Sequence, residues 1–140
     1  MQILAIKTPI FKENENLINF LHKQINSLND NDIIVITSKI IALSQGRTGK
    51  IKDKEKLIKK NSQKIIETPW ALLTLTEGEW CINAGIDESN AKNNVILLPK
   101  NPFKVAEQIQ KNLLKHFSLK HIGVIITDTK SIPLRVGTVG

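Results

Sequence analysis

Two short stretches of the chain concentrate side chains able to hold a charged ligand: "NAGIDESN", Asn83 to Asn90, and "TDT", Thr127 to Thr129. The first sets Asp87, Glu88, Ser89 and Asn90 side by side after a glycine, between the apolar runs "WCI" and "VILLP". The second closes the apolar run "HIGVIIT" with Asp128 and Thr129. Carboxylate, amide and hydroxyl oxygens are hard ligands, suited to Mg²⁺ or Mn²⁺ rather than to Zn²⁺. A single Asp just after a Gly is more often a turn residue. Asp128 strengthens the case for a cation site, because the C-terminal ends of strands are where α/β sheets hold ligands. His22, His116 and His121 are scattered without metal-ligand spacing, and the first two fall in helical stretches where a surface position is expected. Cys81 lies in a strand with no base near it in sequence, which disfavours thiolate chemistry. There is no P-loop and no glycine-rich dinucleotide fingerprint. The residues alone single out no catalytic acid, base or nucleophile.

These loops need elements to carry them. "MQILAIK" alternates as a first strand would, closed by Pro9. Leu17, Ile18, Leu21, Ile25 and Leu28 recur at helical spacing, which predicts a helix from about Asn14 to Leu28. Asp32 to Ser38, "DIIVITS", is a β-branched run that reads as a buried strand. "KIIALSQG" is a short helical turn with Gly46 as its C-cap. Lys50 to Lys60 alternates Lys with acidic residues and suits a solvated helix, with Leu57, Ile58, Ile65 and Ile66 as its inner side. "WALLTLTEGEWCINAG" predicts two strands around Glu77-Gly78, with Trp70 and Trp80 as core or hairpin packing. Asn101 is an N-cap candidate, Pro102 suits the first helical position, and Val105, Ile109, Leu113 and Leu114 form the stripe of a long helix. "HIGVIIT" follows as a buried strand. The order β-α-β-α-α-β-β-α-β predicts a mixed α/β (α+β) domain.

At 140 residues the chain suffices for one domain with a sizeable core. Its 41% hydrophobic and 24% charged residues are ordinary for a globular protein. No apolar run approaches the ~20 residues that span a bilayer, no signal peptide is evident, and one cysteine fits a reducing cytoplasm. The net charge is +7. Only Arg47 and Arg135 among the 20 basic residues are Arg, and there is no Tyr. That is the mark of a Lys-rich composition. A nucleic-acid surface would show Arg and aromatics for clamping and stacking, so no nucleic-acid partner is expected.

"NAGIDESN", followed by "LLPKNP", "VIITDT" and "PLRVG", resembles the coenzyme F420-0:L-glutamate ligase (gamma-glutamyl ligase) family. The family carries an Ala-Gly-Ile-Asp-x-Ser-Asn segment, a Leu-Leu-Pro-x-x-Pro segment before a helix, and an Asp-Thr after a hydrophobic strand. It begins with a strand leading to a Pro-containing turn, here "KTPIF", and its next strand runs through a helical turn into a Gly-Arg, here "TSKIIALSQGR". The resemblance implies a mixed sheet with flanking helices, and residues 1–140 as one domain forming the N-terminal portion of a longer one. It further implies that Asp87, Asp128 and Thr129 hold Mg²⁺ or Mn²⁺, and that Asn90, Ser38 with Lys39, and Thr8, Pro9, Ile10 and Phe11 lie along GTP. The implied reaction is GTP-dependent ligation of L-glutamate to the carboxylate of a deazaflavin coenzyme precursor, in a cytoplasmic homodimer. A further family metal ligand would fall beyond Gly140, so the site of this chain is expected to be incomplete.

Several positions depart from the family pattern. Leu43 stands where relatives often carry Lys. Ser131 and Ile132 replace a Gly-Arg pair, and Leu134 replaces a Trp. Losing a Lys and an Arg beside phosphates removes charge-assisted contacts. Beside the coenzyme ligase stand two alternatives: a divergent relative joining an amino acid to another carboxylate, and an inactive nucleotide- or metal-binding module. The ligase reading requires Asp87 and Asp128 to converge closely enough to grip one cation against a triphosphate.

Overall fold

A computed structural model describes residues 2–88 and 93–129. Its elements are helix α1 (Leu17–Gln24), strand β1 (Ile33–Thr37), helix α2 (Ser38–Ser44) and strand β2 (Thr48–Lys50). A 3-10 turn at Ile51–Asp53 then leads into helix α3 (Lys54–Asn61). Strands β3 (Lys64–Glu67), β4 (Leu72–Thr76) and β5 (Glu79–Ile82), a 3-10 turn at Asn83–Gly85, strand β6 (Asn94–Ile96), helix α4 (Pro102–Phe117) and strand β7 (Gly123–Thr127) complete it. The fold is mixed α/β. Its described strands form three small sheets: β1 parallel to β7, β2 antiparallel to β6, and the antiparallel meander β3-β4-β5.

The parallel pair carries the larger core. Leu21 and Ile25 from the α1 region, Ile41 of α2, and Ile109 and Leu113 of α4 pack with Ile36 and Ile122 beneath it. The i, i+4 spacing of Ile109 and Leu113 sets both on one face of α4. A smaller core joins Ile58 of α3 to Ala84, Ile86, Val95 and Leu97. The entry to β7 is tied to the entry to β1: Asp30 Oδ1 accepts the N–H groups of Lys120 at 2.7 Å and His121 at 2.9 Å. These donors favour the ionised form, and hold the Asp30 carboxyl below its ordinary pKa, His121 first.

Several expectations hold. Gly46 takes φ +61 just past α2 and donates to Leu43 O at 3.0 Å, as a left-handed C-cap does. Glu77 and Gly78 both have positive φ, as a tight hairpin of this twist requires. Others are corrected. Residues 2–10 are exposed and form no strand, because among the described residues no neighbour offers them a ladder. Helix α1 starts at Leu17, because Asn14 turns left-handed and Asn16 caps instead, accepting from Asn19 N–H at 2.9 Å. It ends at Gln24, where Ile25 turns extended, short of the predicted Leu28. Ile65 and Ile66 belong to β3, exposed, and not to a helix.

Among the described residues, strand β1 is covered on one face only: Ile33 and Val35 remain 61% and 62% exposed. A continuous apolar run cannot distinguish one covered face from two. Asn101 occupies the N-cap of α4 but its φ/ψ of 49/53 is left-handed, so its side chain caps nothing; capping by the side chain needs extended backbone there. Trp70 is 91% exposed and packs no core. His22 is half-buried rather than on the surface and stacks on His116 with centroids 3.8 Å apart. Burial, and then the neighbouring His116, lower its pKa.

Among the described residues no helix is long and apolar enough to cross a membrane. Truncating Leu113, fully buried, to Ala should cost about 2–5 kcal/mol in denaturant unfolding, whereas Lys115→Ala on the exposed face should cost under about 0.5 kcal/mol. A depressed carboxyl pKa stabilises the fold above the unfolded-state value, about 3.9 for Asp, and that contribution vanishes as pH falls through the folded value. Asp30→Ala should therefore lower the melting temperature at pH 7, and its deficit relative to wild type should shrink below about pH 4.

Candidate functional site

The parallel register fixes one wall of the site. Thr37 pairs with Thr127, the last residues of β1 and β7. The next residues, Ser38 and Asp128, therefore emerge side by side at the C-terminal edge of this pair. Ser38 is buried as the first residue of α2, and Lys39 follows it in the first turn. The Asp128 carboxylate accepts the N–H of Thr129 at 3.0 Å, just past the end of β7.

The opposite wall is built from "NAGID". Asn83, Ala84 and Gly85 all take positive φ, at 52°, 56° and 66°. Three left-handed residues in succession are costly for non-glycine types, and specific contacts hold them. Ala84 N–H donates to Thr74 Oγ1 at 2.8 Å, while the same hydroxyl donates to Cys81 O at 2.9 Å. Asn83 Oδ1 accepts from Leu72 N–H at 3.1 Å. Gly85 cannot be larger, because a Cβ there would meet the Leu98 side chain at 2.7 Å. The turn sends Ile86 into the smaller core and leaves Asp87 in an isolated bridge to Ile96, with both N–H···O contacts at 2.9 Å. In "NAGID", then, the first three residues shape the backbone and the Asp is the group presented.

Ser38, Lys39, Asp87, Asp128 and Thr129 line one cleft of about 810 Å³. Lys39 Nζ lies 2.9 Å from Asp87 Oδ2, both side chains about one-third exposed. The two acidic loops line the same cavity. Thr8, Pro9 and Ile10 are exposed and Phe11 is buried edge-on to Phe20; none of the four lines this cleft. Asn90 lies outside the described residues, as do Ser131, Ile132, Leu134 and Arg135. Among the described residues no three His, Cys, Asp or Glu side chains gather as a metal cage. Two carboxylates and the Thr129 hydroxyl are nevertheless a hard-oxygen set that fits Mg²⁺ or Mn²⁺ in donor chemistry. The Lys39 ammonium on Asp87 shows this carboxylate already holding a cation.

Some contributors carried no sequence signal. The hairpin residues Thr76, Glu77 and Glu79 and the exposed Phe103 also line the cleft. Thr74 read only as a strand residue, yet its hydroxyl fastens the left-handed turn. Arg47 and Gln45 tie the end of α2 to the "LLPK" segment: Arg47 Nε donates to Leu98 O at 3.0 Å, and the Gln45 amide pairs with the backbone of Lys100 at 2.8 and 2.9 Å. Hydrogen bonds between distant segments leave no periodicity to detect.

A family model described as F420-0:Gamma-glutamyl ligase matches residues 5–57 and 48–140. A coenzyme F420:L-glutamate ligase of Methanosarcina mazei is 33% identical, the match covering 99% of this chain and 62% of the relative. Those of Methanocaldococcus jannaschii and Archaeoglobus fulgidus are 30% and 27% identical, with 64% and 61% of their lengths covered. The chain thus spans about three-fifths of the length of the curated relatives it matches. Replacing Thr74 by Val should cost about 1–3 kcal/mol in denaturant unfolding, the penalty for leaving buried polar groups unpaired. Thr74→Ser should recover most of it; equal losses in the two variants would mean that the hydroxyl does not hold the turn.

Proposed function

The chain belongs to the F420-0:gamma-glutamyl ligase family, and from that premise we propose that it serves a GTP- and divalent-metal-dependent amide ligase, which adds L-glutamate to the carboxylate of a deazaflavin coenzyme precursor. The observation that carries this reading is the meeting of Asp87, Asp128, Thr129, Ser38 and Lys39 in one cleft. These residues come from three separated segments, and the cleft volume of about 810 Å³ lies in the range of sites for sizeable ligands.

In this reading Asp87, Asp128 and Thr129 hold Mg²⁺ or Mn²⁺, which would supply neutralising charge to the phosphates. Lys39 and Ser38 receive the phosphate-bearing part of GTP, Lys39 as a point charge and Ser38 as a hydroxyl donor. Asn90 is proposed to add a nucleotide contact; Thr8 to Phe11 do not line the cleft and are given no nucleotide contact in this reading. The acceptor's carboxylate oxygen bonds to the γ-phosphorus as the bond to GDP breaks, giving an acyl phosphate. The amine of glutamate then forms the amide as phosphate leaves and a proton is lost to solvent. The charged groups lining the cleft are the carboxylates of Asp87, Asp128, Glu77 and Glu79 and the Lys39 ammonium, a set that suits positioning of a cation and of phosphates. The proposed setting is a cytoplasmic homodimer.

The test is to express the protein from its complete reading frame and incubate it with GTP, Mn²⁺, L-glutamate and the deazaflavin precursor. Mass spectrometry should reveal a product heavier by one glutamyl residue. Asp87→Asn should slow its formation about a hundredfold or more, since several kcal/mol of lost charge stabilisation corresponds to at least two decades in rate. GTP turnover that occurs only with a different carboxylate would replace the acceptor. No GTP or Mn²⁺ binding at all would overturn the reading.

A further inference from the structure

The contact between Lys39 and Asp87 raises a question that the ligase reading leaves open: how a carboxylate that serves a divalent cation can also serve an ammonium. The two groups lie 2.9 Å apart, on elements with independent anchors. Lys39 rides the first turn of α2, whose buried Ile41 and Ala42 fix it in the core. Asp87 is held at its backbone by the reciprocal bridge to Ile96. Neither end of the pair depends on the other for its place, so the side chains can part without moving the fold.

A Mg²⁺ or Mn²⁺ on Asp87 would sit roughly 2.1 Å from a carboxylate oxygen. With the ammonium 2.9 Å from the same carboxylate, the two cations would stand only about 4–5 Å apart, where a dication and an ammonium repel strongly. The Lys39 side chain is about one-third exposed and ends in the cleft. Its flexible four-carbon stem can carry the charge to another anion within reach. A polyphosphate entering the same cleft offers that anion.

We propose, resting on the ligase reading above, that Lys39 is an internal counter-ion that keeps divalent metal off Asp87 until a nucleotide triphosphate arrives. With the cleft empty, the ammonium neutralises Asp87 and metal binds weakly. Phosphates draw Lys39 away, and Asp87 is released to the metal at the moment its charge is needed. Metal and nucleotide then bind with positive coupling, which by linkage is reciprocal: each tightens the other by the same factor. Lys39 acts here as a positioning residue. No bond is made or broken by it. The arrangement would keep GTP from meeting a preloaded metal site, and metal and nucleotide would enter as a pair.

The test reads metal occupancy rather than turnover. Free Mn²⁺ is followed by electron paramagnetic resonance as it is titrated into the whole protein, with and without a non-hydrolysable GTP analogue. Wild type should bind Mn²⁺ weakly alone and at least about tenfold more tightly with the analogue. Lys39→Met keeps the stem and removes the charge, and should bind Mn²⁺ alone about tenfold more tightly than wild type, the effect of one unit charge on a nearby dication through mostly aqueous surroundings. Its coupling to the analogue should fall towards one. Lys39→Arg should behave as wild type does, and Lys39→Gln, a second neutral variant, as Lys39→Met does. If the neutral variants bind Mn²⁺ no more tightly than wild type while Asp87→Asn abolishes binding, the metal site stands and the counter-ion role is overturned. If wild type takes up no Mn²⁺ under either condition, the metal-dependent reading itself falls, and the counter-ion role with it.

Discussion

The parallel ladder between β1 and β7 is the constraint on which the site depends. It joins Ile33 to Gly123 and Thr37 to Thr127, residues far apart in the chain. Parallel strands cannot be joined by a tight turn and need a crossover; everything from α2 to α4 lies between them in sequence. Its residues bury an apolar face against α1, α2 and α4, and its end presents Ser38 beside Asp128. A one-residue slip would exchange the two faces and turn Ile36 and Ile126 out of the core. The hydrophobic core thus holds the register, and the register holds the site.

The second wall obeys a different rule. Backbone strain in Asn83–Gly85 is stabilised by a buried threonine, an asparagine amide and the room that glycine leaves beside Leu98. The strained turn reverses the chain sharply enough to bury Ile86 and still present Asp87 to the cleft. Strain of this kind persists only where surrounding contacts over-determine it. Here those contacts come from the β4–β5 hairpin on one side and from the segment after β6 on the other. The turn is therefore a joint product of two sheets, and Asp87 inherits its position from both.

The electrostatics of the cleft follow from this geometry. Acidic groups from two loops face a region where a lysine also ends. Because both partners of the Lys39–Asp87 pair remain partly exposed, the pair is modest in stability terms. Its interest lies in placement, since it occupies the carboxylate that the proposed reading would give to a metal. Elsewhere the excess of lysine is spread over solvated helix faces such as α3, where Glu55 and Lys59 pair one turn apart at 2.7 Å. Each there shifts the other's pKa in the sense expected of an ion pair.

What the sequence by itself determined was local. The stripe of Val105, Ile109 and Leu113, the Glu77-Gly78 turn, the glycine cap after α2 and the strand ending in Asp128 were all legible. Each rests on neighbours a few residues apart, and periodicity or a single φ requirement betrays it. The motif around Asp87 marked a loop that lines the cleft. Only the tertiary structure decided that Asp87, Asp128 and Lys39 share a cleft, that Thr74 and Gln45 hold its walls, and that, among the described residues, Ile33 and Val35 stay exposed while Ile36 is buried. Among the described residues the N-terminal alternation formed no ladder, because a strand exists only where a second strand satisfies its backbone. Pairing and convergence depend on chain segments far apart in sequence meeting in space, and no local pattern of residue types encodes that meeting.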